Sequence, residues 1–128
     1  MTKIHYRRLY RYALDENHTS QTLCKGLGVS IGPEAAPWLA LDADGTLHIR
    51  EGYSWDGPSG PARDTANFMR ASLVHDALYQ LIEESLLPKD FRKLADKTMR
   101  EICKEDGMGG VRRWYTFAAV RAFGGLHT

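Results

Sequence analysis

Residues 71–82, Ala71-Ser72-Leu73-Val74-His75-Asp76-Ala77-Leu78-Tyr79-Gln80-Leu81-Ile82, decide how the rest of the chain is read. Ala71, Val74, Leu78 and Ile82 recur at helical spacing and define an apolar face. His75 points inward with that face, while Asp76 lies about a quarter turn round, on a more polar flank. Pro61 suits a first helical turn, and Asp64 sets a carboxylate near the positive end of the helix dipole. The helix is therefore expected from about Ala62 or Asp64 to Leu86, stopping before Pro88.

Two more helices follow in the pattern. One is expected from about Lys89 to Glu105, with Phe91, Ala95, Met99, Ile102 and Cys103 facing the core, and Gly107-Met108-Gly109-Gly110 ends it. The next spans about Val111 to Phe123, where Val111, Trp114, Tyr115, Ala118 and Ala122 form an apolar stripe. Arg112, Arg113 and Arg121 around Trp114 read as the solvated basic edge of a buried aromatic helix, in preference to a lipid- or nucleic-acid-facing surface.

Upstream the chain reads as strand and turn. Ile4, Tyr6, Tyr10 and Tyr12 lie on one alternating face of a strand over residues 4–14, and residues 15–37 read mostly as loop. Trp38–Leu41 and Leu47–Tyr53 alternate around Asp44-Gly45, a dipeptide suited to a hairpin turn. The segment Trp55-Asp56-Gly57-Pro58-Ser59-Gly60-Pro61 is too rich in Gly and Pro for helix or inner strand. Tyr53 and Trp55 beside it are expected to pack the sheet on the helices. The expectation is one α+β domain over residues 1–128: a β and loop part over 1–60, with a small antiparallel sheet, then a three-helix part over 61–125.

Composition narrows the function. With 128 residues, 43% hydrophobic and 26% charged, the chain suits one modest core. A net charge of +1 gives no global field for steering towards nucleic acid, and none is expected as a partner. No run approaches the ~20 apolar residues of a membrane span. The N-terminus has no apolar run after its basic residues, so a signal peptide is not expected. The two cysteines, Cys24 and Cys103, make no zinc pattern and are read as separate reduced thiols.

Several other patterns lack the partners their chemistry needs. Asp42-x-Asp44-Gly45 has no closing Glu of a calcium loop, and Gly107–Gly110 has no Lys-Ser/Thr continuation. His5, His18, His48 and His127 show no ligand spacing, and Ser59 has no nucleophile-elbow context.

The constellation around His75 is different. The chain reverses near Leu87-Pro88, and His75 and Asp96 then differ in height by about 4–5 Å along antiparallel helices, close enough to meet. A His held by a buried Asp has a fixed tautomer and keeps its other nitrogen free to accept a proton from water. The same pair can equally be a core hydrogen bond stitching two helices. Asp76, Asp56 and the backbone carbonyls of Gly57–Gly60 are hard oxygen donors of the kind Ca²⁺ takes.

His75-Asp76-x-x-Tyr79 on one helix with Asp96 on the next resembles the phospholipase A2 family, over roughly Tyr53 to Lys104. The resemblance implies a His75–Asp96 catalytic dyad buttressed by Tyr79, with a calcium site at Asp56, Gly57, Ser59 and Asp76. Phospholipid or another ester would be the substrate. The chain departs from the secreted members: Ala71, Leu73 and Leu78 stand where half-cystines flank the His, and Pro58 replaces the loop cysteine.

A closer resemblance, from about Leu39 to Phe123, is to a family of small proteins encoded mainly by tailed phages and prophages. It is carried by Gly52-Tyr53-x-Trp55-Asp56-Gly57-x-Ser59-Gly60-Pro61, by Ser72–Tyr79 and by Arg92-x-x-x-Asp96. It implies the cytoplasm of a host bacterium, with incorporation in a virion or release by lysis. The expected function is a phospholipase A2-like, calcium-dependent hydrolase. The alternative is a non-enzymatic virion, tail-associated or host-binding protein that keeps the scaffold.

Overall fold

A computed structural model of the chain describes residues 6–8, 12–55 and 66–123. Seven strands precede three helices: β1 (Tyr6–Arg8), β2 (Tyr12–Leu14), β3 (His18–Gln21), β4 (Val29–Ile31), β5 (Leu39–Leu41), β6 (Thr46–Ile49), β7 (Ser54–Trp55), α1 (Ala66–Glu83), α2 (Phe91–Glu105) and α3 (Gly110–Phe123). The architecture is α+β. The strands form two antiparallel sheets, β1-β2-β7 and β3-β6-β5-β4.

The second sheet is built on the expected hairpin. Leu39 and Leu41 of β5 stand opposite Ile49 and Leu47 of β6, and all four are buried while Thr46 and His48 alternate outward. The turn holds its register through Gly45 N–H donating to Asp42 O (2.9 Å), with Gly45 at φ +94° and the Asp44 carboxylate accepting from Thr46 N–H. A Cβ at position 45 would lie 2.7 Å from Thr22 O, so both space and backbone require glycine there.

Two expectations fail in this half. The tyrosine-rich run is not one strand: β1 and β2 pair antiparallel, Tyr6 opposite Leu14, and Tyr12, Ala13 and Leu14 are all buried rather than alternating. Ile4 and Tyr10 lie outside the described residues. The polar stretch 15–37 supplies the edge strands β3 and β4. Edge strands here contribute backbone pairing more than buried side chains, so His-Thr-Ser-Gln carries no hydrophobic signature.

α1 is buried on nearly every side. Ala71, Leu73, Val74, Ala77, Leu78 and Leu81 are all fully inaccessible, because sheet residues cover one flank and α2 the other. Trp55 of β7 anchors the first sheet on α1: it is buried, stacks against Tyr12 at 5.5 Å and donates its indole N–H to Ser72 Oγ at 3.0 Å. Tyr53 OH donates to Gln80 Oε1 at 2.8 Å, so both aromatic residues join sheet to helix as expected.

α1 and α2 run antiparallel. At one end the buried Arg70 guanidinium grips Asp106 with two bonds of 3.0 Å and Glu105 with one of 2.7 Å. At the other, α1 closes with Ser85 in the left-handed region (φ 63°), Leu86 N–H donating to Leu81 O and Ser85 N–H to Ile82 O. The helix thus ends at Glu83, earlier than the pattern suggested. α2 closes in the same way on Gly107, with Met108 N–H donating to Cys103 O and Gly107 N–H to Lys104 O. Cys24 and Cys103 are free and buried, and burial pushes the thiols up to about 11 and about 12.

α3 lies on α2 with a face other than the expected one. Val111 and Trp114 are 81% and 70% exposed, and Ala118 and Ala122 are also outward; the side chain of Tyr115 lies outside the described residues. The face turned to α2 carries Thr116, Phe117 and Val120, with Arg121 at its edge. Two polar contacts accompany this rotation: Arg121 bonds an acid on α2, and the Arg100 guanidinium sits 4.3 Å over the Phe117 ring.

Candidate functional site

The site forms where α1, α2 and α3 meet. The apolar face of α1 sets His75 inward, and one turn later Tyr79 on the same face packs its ring against the imidazole, centroids 4.3 Å apart. α2 brings Asp96 to them on its buried face, among Ala95, Met99 and Ile102.

Asp96 is completely buried, and its carboxylate serves three donors. Oδ1 accepts from His75 Nε2 at 2.6 Å and from Tyr79 OH at 2.8 Å, while Oδ2 accepts from Arg121 Nη1 at 2.9 Å. Burial alone raises a carboxyl pKa, but hydrogen bonds from His75, Tyr79 and Arg121 outweigh it and hold Asp96 below the usual range. The phenol of Tyr79 is pushed up, by burial and by the carboxylate it bonds.

His75 keeps 12% of its side chain in contact with solvent. Its Nδ1 is the ring nitrogen not bonded to Asp96 and lies 3.9 Å from Asp76 Oδ1, too far for a direct hydrogen bond. Burial disfavours the imidazolium, yet the flanking carboxylates of Asp76 and Asp96 raise the pKa of His75 above its ordinary value. The result is a basic imidazole with one nitrogen fixed by a buried acid and the other on the side of the Asp76 carboxylate.

His75, Tyr79 and Asp96 therefore come together, and Asp76 flanks them. Asp56, Gly57 and Ser59 lie outside the described residues. Among the described residues no three His, Cys, Asp or Glu side chains converge on one point. Calcium takes about six to eight oxygen ligands; of the two carboxylates beside His75, Asp96 is already engaged by three donors, which leaves Asp76 among the described residues. They do not by themselves fit the ion.

Arg121 belongs to the site and was not legible as part of it. In the sequence it is one cation on an aromatic helix. The available signal was chemical: a fully buried Asp needs more compensation than one imidazole provides, so a further donor had to exist.

A family model described as Protein of unknown function (DUF1353) matches residues 36–120, about two thirds of the chain, and the chain belongs to that family. The match includes His75, Asp76, Tyr79 and Asp96, and ends one residue before Arg121. Neither the curated proteins nor the solved structures include a match.

Proposed function

We propose that this member of the family is an ester hydrolase working through His75 and Asp96 in the manner of phospholipase A2, with phospholipid as its substrate class. The observation that supports the reading most is the division of labour between the two imidazole nitrogens. Nε2 is fixed by a buried carboxylate, which leaves Nδ1 as the acceptor, on the side of Asp76. In the reaction, Nδ1 takes a proton from water and the water oxygen bonds to the ester carbonyl carbon. The bond from that carbon to the leaving oxygen then breaks, and His75 returns the proton to the departing alcohol. Asp96 orients the ring and stabilises its charged form, and Tyr79 and Arg121 keep Asp96 ionised.

The test is fatty-acid release from mixed-micelle phospholipid, with calcium and with chelator, by wild type and His75→Ala. Turnover that falls by roughly 10²–10⁴-fold in a folded His75→Ala protein is the expected result. Loss of wild-type turnover with chelator would bring the segment around Asp56 into the site.

A second reading has its own observation. Asp96 bonds side chains from both α1 and α3, and so ties three helices together. On that reading the pair is a core clamp in a non-enzymatic phage protein, a virion or tail component or a binder of a host protein. No turnover by correctly folded wild type would select it. No helix among the described residues is long and apolar enough to cross a membrane, so any lipid substrate would be met from the surface.

A further inference from the structure

Away from His75, a half-open cleft of about 470 Å³ lies between the β4–β5 edge, the segment 50–54 and the far end of α1. Its volume falls within the ~300–1,000 Å³ range of small-ligand sites. Its most conspicuous wall is Trp38, which leaves 54% of its surface in water beside the hollow.

Trp38 is held rather than loose. Its backbone N–H donates to Ile31 O at 2.8 Å, and its carbonyl accepts from Arg50 N–H at 3.0 Å. The indole lies on Gly32: a Cβ there would meet the Trp38 nitrogen at 2.9 Å and the ring at 3.2 Å. Gly32, at φ +111°, thus lets an exposed aromatic plane rest on backbone.

The polar groups of the cleft are planar and are also positioned. The Arg50 guanidinium is fixed by a 3.0 Å bond to Ala36 O. Gln80 accepts the Tyr53 hydroxyl on its oxygen, which leaves the amide N–H₂ to donate. Glu51 adds an acceptor, so one cation and one anion flank the platform.

We propose that this cleft is a binding site for a neutral carbohydrate. A pyranose ring has an apolar C–H face for the indole and a rim of hydroxyls that both donate and accept. Arg50, Glu51 and Gln80 are complementary to that rim. A phosphate is disfavoured by the Glu51 carboxylate, and an acyl chain would strand the polar wall without partners. Gln80 lies five residues beyond His75 on α1, about 7.5 Å along the axis and turned to another side, so the proposal is independent of the hydrolase reading.

The test follows the three indole N–H signals of the ¹⁵N-labelled full-length protein during titration with chitotetraose and maltotetraose. The backbone amide signals of the cleft residues Gly52 and Ser54 are followed with them and also read binding in variants without Trp38. Trp38→Phe assigns one signal, and the buried Trp55 signal reports folding in every variant. One of the sugars should shift the Trp38 signal with a dissociation constant on the order of 1 mM. Trp38→Ala, with the Trp55 signal unmoved, should weaken binding at least tenfold, Arg50→Ala should weaken it as well, and Trp38→Phe should retain most of it. The proposal is overturned if neither sugar binds, if Trp38→Ala binds as well as wild type, or if adenosine or monomeric dihexanoyl-phosphatidylcholine binds the cleft more tightly.

Discussion

α2 and α3 are neighbouring helices of similar length, and they obey opposite rules. In α2 the apolar stripe faces inward, with Ala95, Met99, Ile102 and Cys103 all buried. In α3 Val111 and Trp114 face water, Phe117 and Val120 turn towards α2, and Arg121 reaches an internal acid. The rotation of α3 that exposes Trp114 also brings Arg121 to the buried Asp96 carboxylate.

The sharpest way to break the comparison is to remove the charge. Asp96→Ala strands His75, Tyr79 and Arg121, and should cost about 3–5 kcal/mol in urea unfolding. Trp114→Ser on the outer face of α3 should stay within about 0.5 kcal/mol. Equal losses would mean that α3 is held by its apolar residues after all.

A pH series sharpens the same point. Asp96 titrates below its unfolded value, so its contribution is present above that value, near pH 3.8, and is lost as pH falls through the folded one. His75 has the opposite sign: raised above 6.5, it contributes fully below that pH and loses its contribution as pH rises through the folded value. Wild-type stability should therefore drop on acidification below about pH 4, and the curve for Asp96→Asn should be flatter there. Parallel curves from urea midpoints would remove Asp96 from the acid limb.

The smallest effect concerns how the two core helices end. α2 closes on Gly107 and α1 on Ser85, both left-handed. Ser85→Gly should stabilise by roughly 1 kcal/mol, since only the serine carries a Cβ that opposes this conformation. A rise of a few degrees in Tm would show it. Gly107→Ala should move Tm the other way.

Much of the fold was legible because it rests on local periodicity. The three helices, the hairpin at Asp44-Gly45 and the inward turn of His75 each follow from spacing and turn chemistry within about a dozen residues. Even the meeting of His75 with Asp96 followed from counting residues to the reversal near Pro88. The strands β3 and β4 were not legible, because they join the sheet through main-chain bonds that any sequence can make. The tyrosine run was misread for a related reason: period-two patterning does not show where a chain doubles back.

Periodicity and helix rise are local, so the residue pattern alone specifies an α+β chain with a histidine and an acid on facing helices. The outward turn of Trp114, the inward reach of Arg121 and the seating of Trp38 on Gly32 beside an open cleft emerge only in the folded molecule. Those outcomes depend on which buried charge lacks a partner and where one segment lies on another. Both are properties of groups distant in the chain, and only folding brings them together.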